Sequence, residues 1–237
     1  MLSKEEVKAN LYSIQENIDK VASKKITLVA VTKTLPAEVY DLCFELGLTH
    51  IGENRVQELK SKIEEKSSLR DKFQFHLIGH LQSNKVKFLY DMADSLDTLD
   101  SADTLKKIEQ IYAGKNLDKL SVLLQINAAS EANKAGISIE NTYEIENITS
   151  LCLKSSAVEM QGLFAIGPTP FNLSDLEFEK QTKNTFRKTR ELKENLENKF
   201  NVKFNRLSMG MSSDYIWALE EGATEIRLGS ILFGSRL

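Results

Sequence analysis

The sequence predicts a single closed α/β barrel, a (β/α)8 TIM barrel with an extra N-terminal helix that closes the ring. Three observations lead there. Short apolar, β-branched runs alternate with amphipathic helical stripes, giving eight strand segments and seven intervening helices. The first run, residues 26–34, is apolar on both faces, as strands of helix-covered parallel sheets are. The 237 residues fit one such barrel, and no linker or shift in composition marks a second domain.

The chain opens with Ser3 and Glu6 at the spacing of a capping box. Val7, Leu11, Ile14, Ile18 and Val21 then form one apolar stripe, which predicts a helix over 3–22. The first strand ends in Lys33, and a helix from Pro36 buries Val39, Leu42, Cys43 and Leu46 until Gly47 stops it. Further strands are expected at 49–52, 73–78, 95–99, 121–126, 158–166, 204–208 and 224–228. Helices are expected at 53–65, 83–92, 101–112, 137–153, 175–199 and 213–221. Strict alternation implies parallel strands joined by right-handed crossovers. The last strand has no helix after it, so the N-terminal helix is free to cover it. A doubly wound open sheet is the competing architecture, but it leaves two strand edges to protect.

Composition narrows the function. A net charge of −3 gives no general attraction to nucleic acid or anionic membrane. No apolar run is long enough to cross a bilayer, and the N-terminus lacks a signal-peptide core. Cys43 and Cys152 fall in expected helices and read as reduced, half-buried packing residues, which fits a cytoplasmic protein. Three scattered histidines without a Cys/His cluster argue against a metal site.

The unusual residues collect at the C-terminal ends of strands, where barrels of this kind carry their active sites. Lys33 shares strand parity with Thr27, Val29 and Val31, so it leaves an apolar environment at a strand end. Desolvation there favours the neutral amine, a better nucleophile toward a carbonyl. Strand seven ends in Ser208-Met209-Gly210-Met211-Ser212, and strand eight in Arg227-Leu228-Gly229-Ser230. Two such Gly- and Ser-containing turns side by side suit a phosphate, through close backbone N–H groups, hydroxyls and a helix N-terminus. A lysine facing an anchored phosphate suggests a Schiff base to pyridoxal phosphate (PLP) or an aldolase-type imine with a sugar phosphate. Arg227, in register with Gly229, faces a pyridine nitrogen, binds the phosphate, or pairs internally with Glu53 or Glu225. His76 reads as a satisfied interior histidine.

Five segments together are specific: Val29-Ala-Val-Thr-Lys33, Gly52-Glu-Asn-Arg-Val-Gln-Glu58, His76-Leu-Ile-Gly-His-Leu-Gln-Ser-Asn-Lys85, Leu207-Ser-Met-Gly-Met-Ser-Ser-Asp214 and Arg227-Leu-Gly-Ser-Ile-Leu-Phe-Gly-Ser-Arg236. With Gln125, Asn127, Glu131, Lys134 and Gly136, the chain resembles the pyridoxal phosphate homeostasis protein family over essentially its whole length. The resemblance implies a barrel similar to the N-terminal domain of alanine racemase, with PLP held as an imine on Lys33. It implies cofactor contacts from Ser208, Met209, Gly210, Ser212, Gly229 and Ser230, with Arg227 at the pyridine nitrogen and Asn54 near the ring. Thr32 stands where serine is frequent, and Phe164-Ala-Ile-Gly167 where methionine and proline are.

The implied role is buffering PLP, delivering it to PLP-dependent apo-enzymes and keeping amino-acid pools in balance, by a cytoplasmic monomer without robust catalysis. Alanine racemase draws a tyrosine base from a second, β-rich domain. This chain is expected to stop after the barrel and leave one face of the ring open. The rival functions are a small PLP-dependent amino-acid racemase and an imine-forming aldolase acting on a sugar phosphate.

Overall fold

The computed structural model of the protein describes residues 2–112, 118–129, 131, 134–170 and 173–234. Helix α1 (Lys4–Val21) begins as the sequence predicts. The Ser3 hydroxyl accepts the Glu6 N–H at 3.3 Å, and the Glu6 carboxylate accepts the Ser3 N–H at 2.8 Å. There follow β1 (Thr27–Val31), α2 (Val39–Glu45), β2 (His50–Glu53), α3 (Val56–Glu65), β3 (Gln74–Leu77) and α4 (Leu89–Met92). Next come β4 (Ser95–Leu99), α5 (Ala102–Tyr112), β5 (Leu120–Asn127), the short β6 (Ile137–Ser138), α6 (Thr142–Lys154) and β7 (Val158–Ala165). The chain continues with α7 (Asp175–Phe200), β8 (Arg206–Ser208), α8 (Tyr215–Glu220), β9 (Glu225–Leu228) and α9 (Ser230–Phe233).

All strand pairs are parallel, and the sheet runs β4-β3-β2-β1-β9-β8-β7-β5 before β5 returns to β4. The eight-stranded ring is closed, so the open-sheet alternative is excluded; β6 only flanks β5. Helix α1 buries Val7, Ile14 and Ile18 and packs against α8 and α9 beside the seam between β1 and β9. Asn10 Nδ2 donates to the Leu232 carbonyl at 3.1 Å, and Asn17 Nδ2 to the Tyr215 hydroxyl at 3.1 Å. Both cysteines are free, and both are fully buried rather than half-buried.

Several boundaries move. Ile137 and Ser138 form β6 instead of opening a helix, because Ile137 pairs beside Ile126 and buries its side chain. Helix α6 starts only after Asn141, whose side chain accepts the Glu144 N–H. Glu53 belongs to β2, paired with Leu77, and α3 begins at Val56. Residues 83–88 are a 3₁₀ segment, leaving a single α turn at α4. The last strand does have a helix after it, the one-turn α9.

Below the C-terminal mouth, the barrel interior holds a layer of charge. Arg206 bonds Asp97 at 2.9 Å and Glu225 at 2.9 Å, while His76 Nδ1 meets Asp97 Oδ2 at 2.9 Å. His76 Nε2 lies 3.0 Å from His50 Nδ1, so His76 is the satisfied interior histidine the sequence suggested. Burial opposes the charge on His76, but the Asp97 carboxylate outweighs it and raises the pKa. Two carboxylates thus face the Arg206 guanidinium and the His76 ring. His76, Asp97 and Glu225 approach one another closely enough to resemble a metal-ligand set, but the Arg206 guanidinium is bonded to both carboxylates.

Burial pushes the Asp97 carboxyl up, and the charges of His76 and Arg206 pull it well below the usual carboxylate range. Breaking a buried pair on one side leaves an uncompensated ion, so Asp97→Asn is expected to cost about 3–5 kcal/mol in urea unfolding at neutral pH. The depressed folded pKa means this stabilisation is present above the unfolded value of about 3.9 and is lost as pH falls through the folded one. The wild-type advantage should therefore shrink as unfolding is measured at progressively lower pH.

Candidate functional site

Strand β1 ends at Val31, and the chain turns at once. The Thr32 N–H still pairs with the Gly52 carbonyl at 3.1 Å, and the Leu35 N–H donates back to the Thr32 carbonyl at 3.1 Å. Lys33 sits in this turn on the inward side with Val31, the parity read from the sequence. Both line a cavity of about 540 Å³ at the C-terminal mouth of the barrel. That volume lies within the range of small-ligand pockets. Its other walls bring Asn54 from the end of β2, Ser212 from the β8–α8 turn, and Arg227, Gly229 and Ser230 from β9 and beyond.

The two Gly/Ser turns meet. Ser212 Oγ accepts the N–H of Gly229 at 3.4 Å and of Ile231 at 3.2 Å, marking a point where backbone donors converge on one oxygen. Met211, in the same turn, donates its N–H to Asp214, whose carboxyl is raised by burial. The arrangement gathers backbone N–H groups and hydroxyls of the kind that can receive an anion.

Arg227 is almost fully buried. Its Nη1 donates to Ser208 Oγ at 2.8 Å, its Nη2 to the Ala165 carbonyl at 2.8 Å, and its guanidinium lies 3.9 Å from the centroid of the Phe164 ring. The internal ion pair considered from sequence is not made. Glu53 binds Lys62 at 2.7 Å, and Glu225 binds Arg206. Burial pushes the Arg227 pKa down to about 10, against the pull of Glu225 and Asp214, so it remains a cation at neutral pH.

Of the residues singled out from sequence, Lys33, Asn54, Ser212, Arg227, Gly229 and Ser230 line the cavity. Ser208, Met209 and Gly210 do not; they form the layer beneath. Ser208 holds Arg227, Met209 is buried in the core, and the Gly210 carbonyl accepts the Arg227 N–H at 3.0 Å. Gly210 has φ +92°, and a Cβ there would stand 2.7 Å from that of Ala218. Lys134 pairs with Glu131 at 3.0 Å and donates to the Gly167 carbonyl, outside the cavity lining. Ser235 and Arg236, at the end of the segment that begins with Arg227, lie outside the described residues.

Sequence reasoning missed the apolar walls, Ile78, Phe164 and Ile166. Strand parity was the available signal, since Phe164 and Ile166 share a face at the end of β7 as Val31 and Lys33 do at the end of β1. Asn54 owes its place to Gly79, where a Cβ would lie 2.2 Å from the Asn54 carbonyl oxygen.

The donor set fits PLP: an amine for the aldehyde, an anion site for the phosphate, a fixed cation and apolar walls for the ring. A family model described as "Alanine racemase, N-terminal domain" matches residues 6–237. A pyridoxal phosphate homeostasis protein of Aquifex aeolicus (strain VF5) is 39% identical over 210 residues, covering 88% of this chain and 86% of that one. The chain belongs to the pyridoxal phosphate homeostasis protein family. Among solved structures, PipY of Synechococcus elongatus PCC7942, with PLP bound, superposes at a TM-score of 0.81 and 28% identity, covering 96% of this chain and 100% of that one. The alanine racemase of Clostridium difficile 630 in complex with cycloserine shares the fold at a TM-score of 0.72 and 18% identity, covering 96% of this chain and 60% of that one.

Gly79→Ala should push Asn54 out of the cavity wall and lower stability by about 1–3 kcal/mol, the usual range for overpacking. Thermal melting would report the second effect, and weaker PLP binding by fluorescence titration the first.

Proposed function

We propose that this protein binds PLP as a Schiff base on Lys33 and acts as an intracellular PLP buffer and donor, without robust turnover of its own. One observation carries the reading: Lys33, Arg227 and the joined Ser212, Gly229 and Ser230 turns line the same cavity. When bound, PLP supplies an aldehyde for amine capture and a ring that withdraws electrons. The N–H groups of Gly229 and Ile231 and the Ser212 hydroxyl would receive the phosphate. Ile78, Phe164 and Ile166 would exclude water from the ring, with Asn54 at its side.

Arg227 is the reason to expect weak chemistry. A permanent cation facing the ring nitrogen disfavours its protonation and so weakens the electron sink. Among the described residues, no carboxylate lines the cavity to do the opposite. A small amino-acid racemase is the alternative, supported by likeness of fold alone. Among the described residues no helix is long and apolar enough to cross a membrane. The free, buried cysteines support a cytoplasmic setting, and a sheet without an open barrel edge supports a monomer. PLP-dependent apo-enzymes are the proposed recipients.

Borohydride reduction of the PLP-loaded protein, followed by peptide mass analysis, should place the label on Lys33. Lys33→Ala should lose the reducible adduct. It should also lose most of the roughly 2.7 kcal/mol of ligand stabilisation expected at a PLP concentration near 100 Kd. A reducible adduct persisting in that variant would overturn the assignment.

Arg227→Gln removes the charge and leaves one amide donor in place of the two guanidinium nitrogens that serve Ser208 and the Ala165 carbonyl. At matched PLP occupancy it should exchange an amino acid's α-proton with deuterated solvent severalfold faster than the parent. Equal exchange would show that Arg227 does not set the ring's electronics.

A further inference from the structure

Behind the cavity, on the outward faces of β1 and β2, lies a second buried ion cluster. Val31 and Gly52 face the barrel interior, so Thr32 and Glu53, next in each chain, point the other way, under α2 and α3. Lys62 on α3 reaches in with only 5% of its surface exposed. Its ammonium donates to the Thr32 carbonyl at 2.8 Å, to Glu53 Oε1 at 2.7 Å and to Glu58 Oε1 at 2.8 Å. Those three bonds use the full donor capacity of a lysine. Glu58 Oε1 also accepts the N–H of Thr34. The Thr32 hydroxyl donates to Glu53 Oε1 at 2.6 Å, and the Tyr40 hydroxyl lies 3.3 Å from the same oxygen.

The cluster therefore grips the backbone on each side of Lys33. Thr32 is fixed through its N–H, its carbonyl and its hydroxyl, and Thr34 through its N–H. Thr34 also has φ +65°. A β-branched residue in the left-handed region costs roughly 1–2 kcal/mol and persists only where its surroundings over-determine it. A buried ion pair is a weak source of net stability, and α3 is already anchored by buried Val56 and Leu59. What the polar cluster adds is direction, because hydrogen bonds to two flanking residues define where the side chain between them goes.

We propose that Lys62 and Glu58 are positioning residues for Lys33, clamping its backbone so that the amine stays at the cavity while PLP docks. The proposal rests on the reading of Lys33 given above. The step it serves is balanced: the Lys33 amine forms a C–N bond to the aldehyde carbon, and the carbonyl oxygen leaves as water, with no change of oxidation state.

Two variants test it. Glu58→Ala removes the acceptor of the Thr34 N–H from a residue whose side chain is 22% exposed. The double variant Glu53→Gln/Lys62→Met removes both buried charges together and leaves neither stranded. Each is compared with wild type for PLP capture, read by absorbance and borohydride trapping, and for binding of 4′-deoxypyridoxine 5′-phosphate, which lacks the aldehyde. The expected result is unchanged affinity for the aldehyde-free analogue and covalent capture slowed on the order of tenfold to a hundredfold, the scale of a misplaced reacting group. Glu58→Gln, which still accepts the Thr34 N–H, should restore most of the rate.

Capture at the wild-type rate in folded variants, whatever their melting temperature, would overturn the proposal. So would analogue affinity falling in parallel with capture. If the double variant fails to fold, the Glu58→Ala and Glu58→Gln pair decides alone. A reducible adduct that survives Lys33→Ala removes the underlying reading itself, a result distinct from normal capture by the Glu58 variants.

Discussion

The pairing of the first strand with the last is the contact that the site depends on. β1 and β9 run in parallel register from Thr27 opposite Glu225 to Ala30 opposite Leu228. Parallel neighbours share a C-terminal end, so this ladder delivers the Lys33 turn and the Gly229 turn to one mouth. Helix α1 then packs on α8 and α9 and shields the adjoining seam. In a doubly wound open sheet the first and last strands are not neighbours, and the amine and the anion-receiving turns would lie apart. Closure makes a cavity from residues nearly the whole chain apart.

Beneath that cavity the barrel is filled with charged and polar side chains where branched apolar ones are usual. Arg206 and His76 satisfy Asp97 and Glu225, leaving neither carboxylate to Arg227 one layer above. Arg227 is instead held by a hydroxyl, a carbonyl and an aromatic face, all uncharged. Its positive charge is therefore available to whatever enters the mouth. The lower layer consumes the anions, and the upper one keeps the cation.

The barrel is shared with an alanine racemase that is only 18% identical, and a common fold does not carry a common activity. What distinguishes a binding protein from a catalyst must lie in the groups that surround the cofactor. In this chain the groups proposed for that place are Lys33, with hydrogen bonds to its flanking residues from behind, the two Gly/Ser turns, and the buried cation of Arg227.

The alternating pattern of apolar runs and stripes by itself determined an α/β fold of parallel strands, because parallel strands covered by helices must be apolar on both faces; the pairing of β5 with β4 decided that the sheet closes. The pattern also located Lys33, Arg227 and the two Gly/Ser turns, since strand ends and turn residues are local features. Tertiary structure decided what these residues do. Ser208, Met209 and Gly210 became supports because β8 ends one step below the mouth, a register that no single strand records. Glu53 passed from an expected helix into β2 because its backbone pairs with Leu77 and its carboxylate meets Lys62. The partners of Arg227 and the clamp around Lys33 could not be read from the chain either. Each joins groups distant in sequence, and their choice is made by which buried charges the closed barrel leaves unpaired.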